Sequence, residues 1–401
     1  MSAGLYAGNH PARFWRPLLA PEPDEALWDA AIRRAAAVLP YLARTAGDGV
    51  ERLLEATLGE GQFGDRHWRL SPARRAYYVL KPLLPRALVV RARNHDRARA
   101  QRAFPLGWPI EDRYRRFLWD VIGELMVLDG RTELPFISFW PFGARYALVL
   151  THDVETAAGQ RFVPSVAEVE ERLGFRSSFN FVAERYPLDH GLMDDLTARG
   201  FEVGLHGRRH DGRELRSRRV FERHARHINR HLRHLGAVGF RSPLTHRHPE
   251  WMQSLEVEYD ASFFDSDPFE PVPGGTMSLW PFTMGRFLEL PYTLPQDFTL
   301  IDVLGERQPR LWLEKTAYLR RCCGMALLNA HPDYLRETCH WQVYTAFLEE
   351  LSGDSTCWKA LPRDVARWWR ERADAESVGA LPGARTGLVR RDEIGETEVV
   401  P

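Results

Sequence analysis

The chain has 401 residues, enough for one large domain with an extension or for two domains, each with a buried core. An apolar fraction of 44% and a charged fraction of 27% are those of an ordinary globular protein. The 54 basic and 54 acidic residues cancel, which argues against a global attraction to nucleic acid or anionic membrane, and no stretch approaches the length of a membrane span.

The segment Met1–Trp28 has neither an uninterrupted apolar run nor a small-residue cleavage pattern, so a cytoplasmic location is expected. Residues 1–140 read as a helical N-terminal extension. Leu27, Ala31, Ala35, Leu39 and Leu42 recur at close to 3.6 residues within Asp24–Arg44, and Ile110–Leu128 repeats the pattern after Pro109. Between them Arg69–Arg102 is strongly basic, with Asp96 the main counter-charge. A solvated face is the expectation there, and docking to an anionic lipid or polymer is the alternative.

From about residue 141 short apolar runs alternate with amphipathic segments as far as residue 375. The predicted strands are Tyr146–Leu150, Ser177–Val182, Phe201–Leu205, Val238–Phe240, Phe287–Leu290 and Met325–Asn329. Predicted helices are Val163–Leu173, Gly191–Arg199, Arg216–Leu235, Arg310–Cys323, Trp341–Leu351 and a closing Asp364–Asp374. This alternation predicts an α/β fold, a parallel (β/α) barrel whose functional groups gather at the C-terminal strand ends. Residues 376–401 mix Gly, Pro and charge without periodicity and are expected to form a disordered tail. Cys322, Cys323, Cys339 and Cys357 show no paired C-x-x-C spacing and read as free thiols.

Two motifs fall where the barrel would place its chemistry. Thr151-His152-Asp153-Val154-Glu155 follows the first strand, in the loop at its C-terminal end, and offers two carboxylates. His206-Gly207-Arg208-Arg209-His210 follows Phe201–Leu205, and its four-residue separation would bring both imidazoles to one side of a helical turn. Two histidines and a carboxylate suit a divalent metal that keeps a position open for water. His224, His227, His231 and His234 flank the apolar stripe Phe221, Ala225, Ile228, Leu232 and Leu235 and are expected to be boundary residues rather than a second metal site. Trp280 and Trp312 are expected in the core.

The order and spacing of these segments resemble the polysaccharide deacetylase family, carbohydrate esterase family 4. THDVE resembles its first motif and HGRRH its second; Arg241-Ser242-Pro243 resembles the third, Tyr259-Asp260-Ala261-Ser262 the fourth and Leu327-Leu328-Asn329-Ala330-His331 the fifth. The likeness spans roughly residues 145–335 and implies a distorted barrel of about seven strands. It also implies a metal-dependent deacetylase acting on an N-acetyl group of an amino sugar in a saccharide or glycan precursor. In that reading Asp153 is the base, Glu155, His206 and His210 hold the metal, Arg241 orients Asp153, and His331, polarised by Asp260, is the acid. The reverse assignment of Asp153 and Glu155 is open, because the family's usual first motif has adjacent aspartates. The third motif here has Leu244-Thr245 in place of the usual aromatic and glycine, with His246 and His248 as nearby candidates for substrate contact. Zn²⁺ is the expected ion, and other divalent metals fit the same ligands. Hydrolysis of another C–N bond in a small molecule, or glycan binding without catalysis, are the rival expectations. Oligomeric state is not legible.

Overall fold

A computed structural model of the chain describes residues 4–39, 49–64, 67–68, 100–392 and 397–400. The basic stretch 69–99 therefore lies outside the described residues.

Seven parallel strands form the barrel wall: β2 (Tyr146–Val154), β3 (Ser177–Phe181), β4 (Glu202–Leu205), β5 (Gly239–Phe240), β6 (Tyr259–Asp260), β8 (Phe287–Glu289) and β9 (Met325–Ala330). β10 (Cys357–Ala360) pairs with the N-terminal half of β2, and β7 (Phe282–Met284) forms an antiparallel hairpin with β8. The segment just past β8 joins β9 through both the side chain and the backbone of Thr293. Thr293 Oγ1 accepts from the Leu327 amide at 3.0 Å and donates to the Met325 carbonyl at 2.7 Å, while the Thr293 amide donates to the Leu327 carbonyl. A hydroxyl that both donates and accepts can thus stand in for a strand rung. The architecture is the distorted (β/α) barrel expected from the sequence.

β2 is longer than its apolar run suggests. Thr151, His152, Asp153 and Val154 continue the strand instead of entering a loop, because β3 pairs with Leu150–Val154 and β9 with Ala147–His152. The period-2 alternation then sends Thr151 and Asp153 to one face and His152 to the other. His152 meets Glu170 at 2.6 Å in the layer between sheet and helices, stacked on Phe179. The Ala157–Arg172 helix behind it starts at Thr156, whose hydroxyl accepts from the Ala158 and Gly159 amides as an N-cap.

The N-terminal segment is helical in part, at Pro11–Trp15, Glu25–Ala35, Val50–Leu58 and Arg113–Leu128. It shares one continuous core with the barrel. Phe14 and Trp15 pack on Phe139, Phe14 also packs on Trp280, and the Asn9 side chain bonds both the amide and the carbonyl of Thr283 on β7. Trp280 and Trp312 are core residues, each with its indole N–H on a carbonyl, of Cys323 and Pro295 respectively.

The C-terminal segment departs from expectation. Residues 386–391 and 397–400, read from sequence as part of a disordered tail, form β11 (Thr386–Arg391) and β12 (Thr397–Val400); β11 pairs antiparallel with β1 (Glu133–Ile137) on one side and with β12 on the other. Gly387 permits this register, since a Cβ there would lie 2.5 Å from the Phe136 ring. The four cysteines are free. No helix among the described residues is long and apolar enough to cross a membrane.

Candidate metal centre and cleft

Asp153, Glu155, His206, His210 and His331 line one cleft of about 80 Å³ at the C-terminal ends of β2, β4 and β9. Ligand atoms of Glu155, His206 and His210 lie within 4.8 Å of one another, the one metal-competent cluster among the described residues.

His206 follows β4 directly. Its Nδ1 sits 3.1 Å from the Arg241 carbonyl, which assigns the proton to Nδ1 and leaves Nε2 as the free donor. Burial pushes His206 down to about 4 against the pull of Asp153. His210 does not complete the helical turn expected from the spacing. The segment is a bent loop with Gly207 at φ +65° and His210 itself left-handed at φ 54°. Glu214 holds the loop by accepting from the Arg208 amide at 2.7 Å, and the Glu184 amide donates to the Arg208 carbonyl. This crumpled path still brings the two imidazoles to 5.0 Å between centroids. Glu155, one residue past β2, places Oε1 3.1 Å from His210 Nε2, and its own amide donates to Asp333. Burial opposes its charge, but His210, His331 and His206 hold the carboxyl well below its ordinary value.

Asp153 points into the same cleft from within β2. Asn180, its register partner on β3, donates to Oδ1 at 3.1 Å, and Asn329 on β9 donates to Oδ2 at 2.9 Å. Gly204 on β4 makes room for this grip, since a Cβ there would lie 2.1 Å from Asn180 Oδ1. Arg241 Nε lies 3.5 Å from Asp153 Oδ1 and its Nη2 donates to Thr151 Oγ1. Burial would raise Asp153, yet His206, Arg241 and His331 outweigh it and keep the carboxyl ionised below its ordinary value.

His331 ends β9. Its partner is Asp297, which accepts from His331 Nδ1 at 2.6 Å and from the His331 amide at 2.8 Å. Burial would lower this imidazole, but Asp297, reinforced by Glu155 and Asp153, raises it to about 10. Asp260, expected to polarise His331, is engaged elsewhere. It accepts from Ser262 Oγ at 2.7 Å, and Ser262 Oγ in turn accepts from the Ser242 amide at 2.8 Å, so Asp260 braces the backbone beside Arg241. Its ladder partner Glu289 is pushed far up by burial and by Asp260, so Glu289 stays protonated.

Asp297, Asn180, Asn329 and Gln296 were not singled out from sequence. His246 and His248 do not line the cleft; His248 stacks on Trp251 at 4.0 Å. His231 of the histidine-rich helix faces Glu184 at 3.4 Å.

No protein-family model and no curated protein matches the chain. Solved structures do. A candidate polysaccharide deacetylase from Mycobacterium smegmatis aligns with 58% of this chain and 92% of its own at 16% identity and a TM-score of 0.46. PuuE allantoinase gives 17% identity over the same shares and the same TM-score. The peptidoglycan deacetylase PdaC from Bacillus subtilis gives 10% identity over 58% of this chain and 94% of its own, with a TM-score of 0.38.

Proposed function

We propose that the chain is a metal-dependent deacetylase that removes the N-acetyl group of an amino sugar in a saccharide or glycan precursor. The observation that carries this is the convergence of three arrangements on one cleft: the Glu155, His206 and His210 donors, the Asp153 carboxylate beside Arg241, and the His331–Asp297 pair. The donor set fits a divalent ion. It offers two imidazole nitrogens and one carboxylate, with His206 turned ligand-side out by the Arg241 carbonyl. Zn²⁺ suits it best.

When bound, such an ion supplies Lewis acidity for the amide carbonyl and for the attacking water. The chain's own groups do the rest. Asp153, kept charged by Arg241 and held by two amides, takes the proton of the water as it attacks the acetyl carbon. The Asn180 and Asn329 bonds leave the carboxylate little freedom to rotate away, so the base is preorganised. His331 keeps Nδ1 on Asp297 and turns Nε2 toward the cleft, where it delivers a proton to the nitrogen as the C–N bond breaks. Glu155 is the ligand and Asp153 the base in this reading, because Glu155 is the carboxylate that meets His210.

The test is acetate release from N-acetylated amino sugars by the zinc-loaded chain, with and without chelator, beside cyclic and linear amides that carry no acetyl group. Acetate release abolished by chelator and restored by zinc is the expected result. Turnover of the other amides alone would overturn the acetyl specificity, and a chain that binds no stoichiometric divalent ion would overturn the mechanism.

A further inference from the structure

One carboxylate in the cleft has no task in that chemistry. Glu270 lines the same cavity and is 7% exposed. Its Oε2 accepts from Thr245 Oγ1 at 2.9 Å and its Oε1 from Gln296 Nε2 at 2.8 Å. No lysine, arginine or histidine among the described residues lies within ion-pair distance of it. An ionised carboxylate presents about four acceptor positions, so two internal donors leave about half of them empty. A nearly buried carboxyl group with unused acceptors is costly unless something in the cleft supplies donors.

Its surroundings fix where those acceptors point. Thr245 is left-handed at φ 51°, and its carbonyl is held by Arg247 Nη1 at 3.0 Å. Gln296 Oε1 accepts from Asn329, the residue that also donates to Asp153. Glu270 and Asp153 are therefore joined by Gln296 and Asn329, which sets their spacing rigidly. Neighbouring Asp267 is driven far up by burial and by Glu270.

We propose that Glu270 is a specificity-determining residue that accepts hydrogen bonds from ring hydroxyls of the sugar whose acetamido group lies at Asp153. Two adjacent hydroxyls supply the two missing donors, and a neutral polyol meets the carboxylate without needing a cation. The assignment deepens the deacetylase reading and rests on it for the position of the scissile group.

The experiment is a cycle of ligand and protein changes. Binding of N-acetylglucosamine and its 3-, 4- and 6-deoxy analogues is measured by calorimetry on the full chain in chelator, where nothing is turned over, for wild type and Glu270→Gln. KM is measured in parallel on the zinc-loaded forms. Wild type is expected to bind at least one deoxy sugar about 10-fold or more weaker than the parent, and Glu270→Gln to bind the parent about 10- to 100-fold weaker, the range for a hydrogen bond to a charged group. The deoxy penalty should vanish in Glu270→Gln, with KM rising by more than kcat falls. If Glu270→Gln does not fold, Glu270→Asp, one methylene short, takes its place in the cycle with the same expectation. A flat deoxy series, a penalty persisting in full in the variant, or no sugar binding to wild type overturns the proposal. Glu270-dependent sugar binding without acetate release would uphold it while sinking the deacetylase reading.

Discussion

Arg247 and Glu60, 187 positions apart, meet as a bidentate pair with no solvent exposure, Nε to Oε2 at 2.9 Å and Nη2 to Oε1 at 2.6 Å. The guanidinium also holds the Thr245 and Val272 carbonyls and lies 4.3 Å over the Phe264 ring. Burial opposes the charge on Glu60, but Arg247 and His67 hold its carboxyl down at about 2. The N-terminal segment is thus fastened to the turn that forms one wall of the cleft.

Removing one partner strands the other's charge in the interior. Glu60→Ala should cost about 3–5 kcal/mol of unfolding free energy, whereas Arg33→Ala, which opens the exposed contact with Asp29, should cost well under about 1 kcal/mol. Urea unfolding followed by tryptophan fluorescence compares them. Equal losses would show that the buried pair does not fasten the two parts.

Base and ligand separate by what each variant does to the metal. Asp153→Asn should retain stoichiometric zinc by elemental analysis and lose about 10²- to 10⁴-fold in kcat. Glu155→Gln and His210→Ala should lose the zinc itself. Zinc lost from Asp153→Asn and kept by Glu155→Gln would reverse the assignment.

Asp297→Asn keeps an acceptor beside His331 Nδ1 but removes the charge that stabilises the imidazolium. We expect kcat to fall by about 10²-fold or more, zinc to be retained and KM to change little, since Asp297 acts through His331. Unchanged kcat would remove His331 from the role of acid.

Glu202, buried on β4, accepts from the Tyr259 hydroxyl at 2.8 Å and the Arg363 amide at 3.1 Å, and burial raises its carboxyl to about 7. A folded value above the unfolded one, about 4.3, means stability is full below pH of about 4 and declines as pH rises to about 7, by up to roughly 3 kcal/mol. Unfolding measured at several pH values for wild type and Glu202→Gln should differ by that slope. Parallel curves would show that Glu202 ionises without penalty.

The sequence located the metal cluster because its ligands come from two short segments, each tied to a legible strand end. Asp297 carries no such mark. It lies beyond the hairpin, before the π-helical turn Phe298–Val303, and it meets His331 only when β9 is laid beside that turn. Asn180 and Asn329 sit inside apolar strand runs, where an amide reads as an exception until the register puts both against Asp153. β11 escaped notice because its short Thr386–Arg391 run is stabilised by a distant partner, β1, rather than by any local pattern. Asp260 was misassigned for a related reason. The fourth motif contains Ser262 but not the fold that turns its hydroxyl onto Asp260.

The left-handed Gly207 leaves so little space that a Cβ would lie 2.3 Å from Pro243 Cγ. The loop carrying both histidine donors and the turn carrying Leu244 and Thr245 therefore behave as a single mechanical part. A change that displaces Pro243 to admit a different sugar would also disturb the metal donors, so this rim is closed to gradual diversification. The part of the rim built by Phe298, Thr299 and Tyr334 contributes no metal donor among the described residues. Substrate preference in descendants of this chain has room to drift there, and that is the rim to randomise in a search for altered specificity.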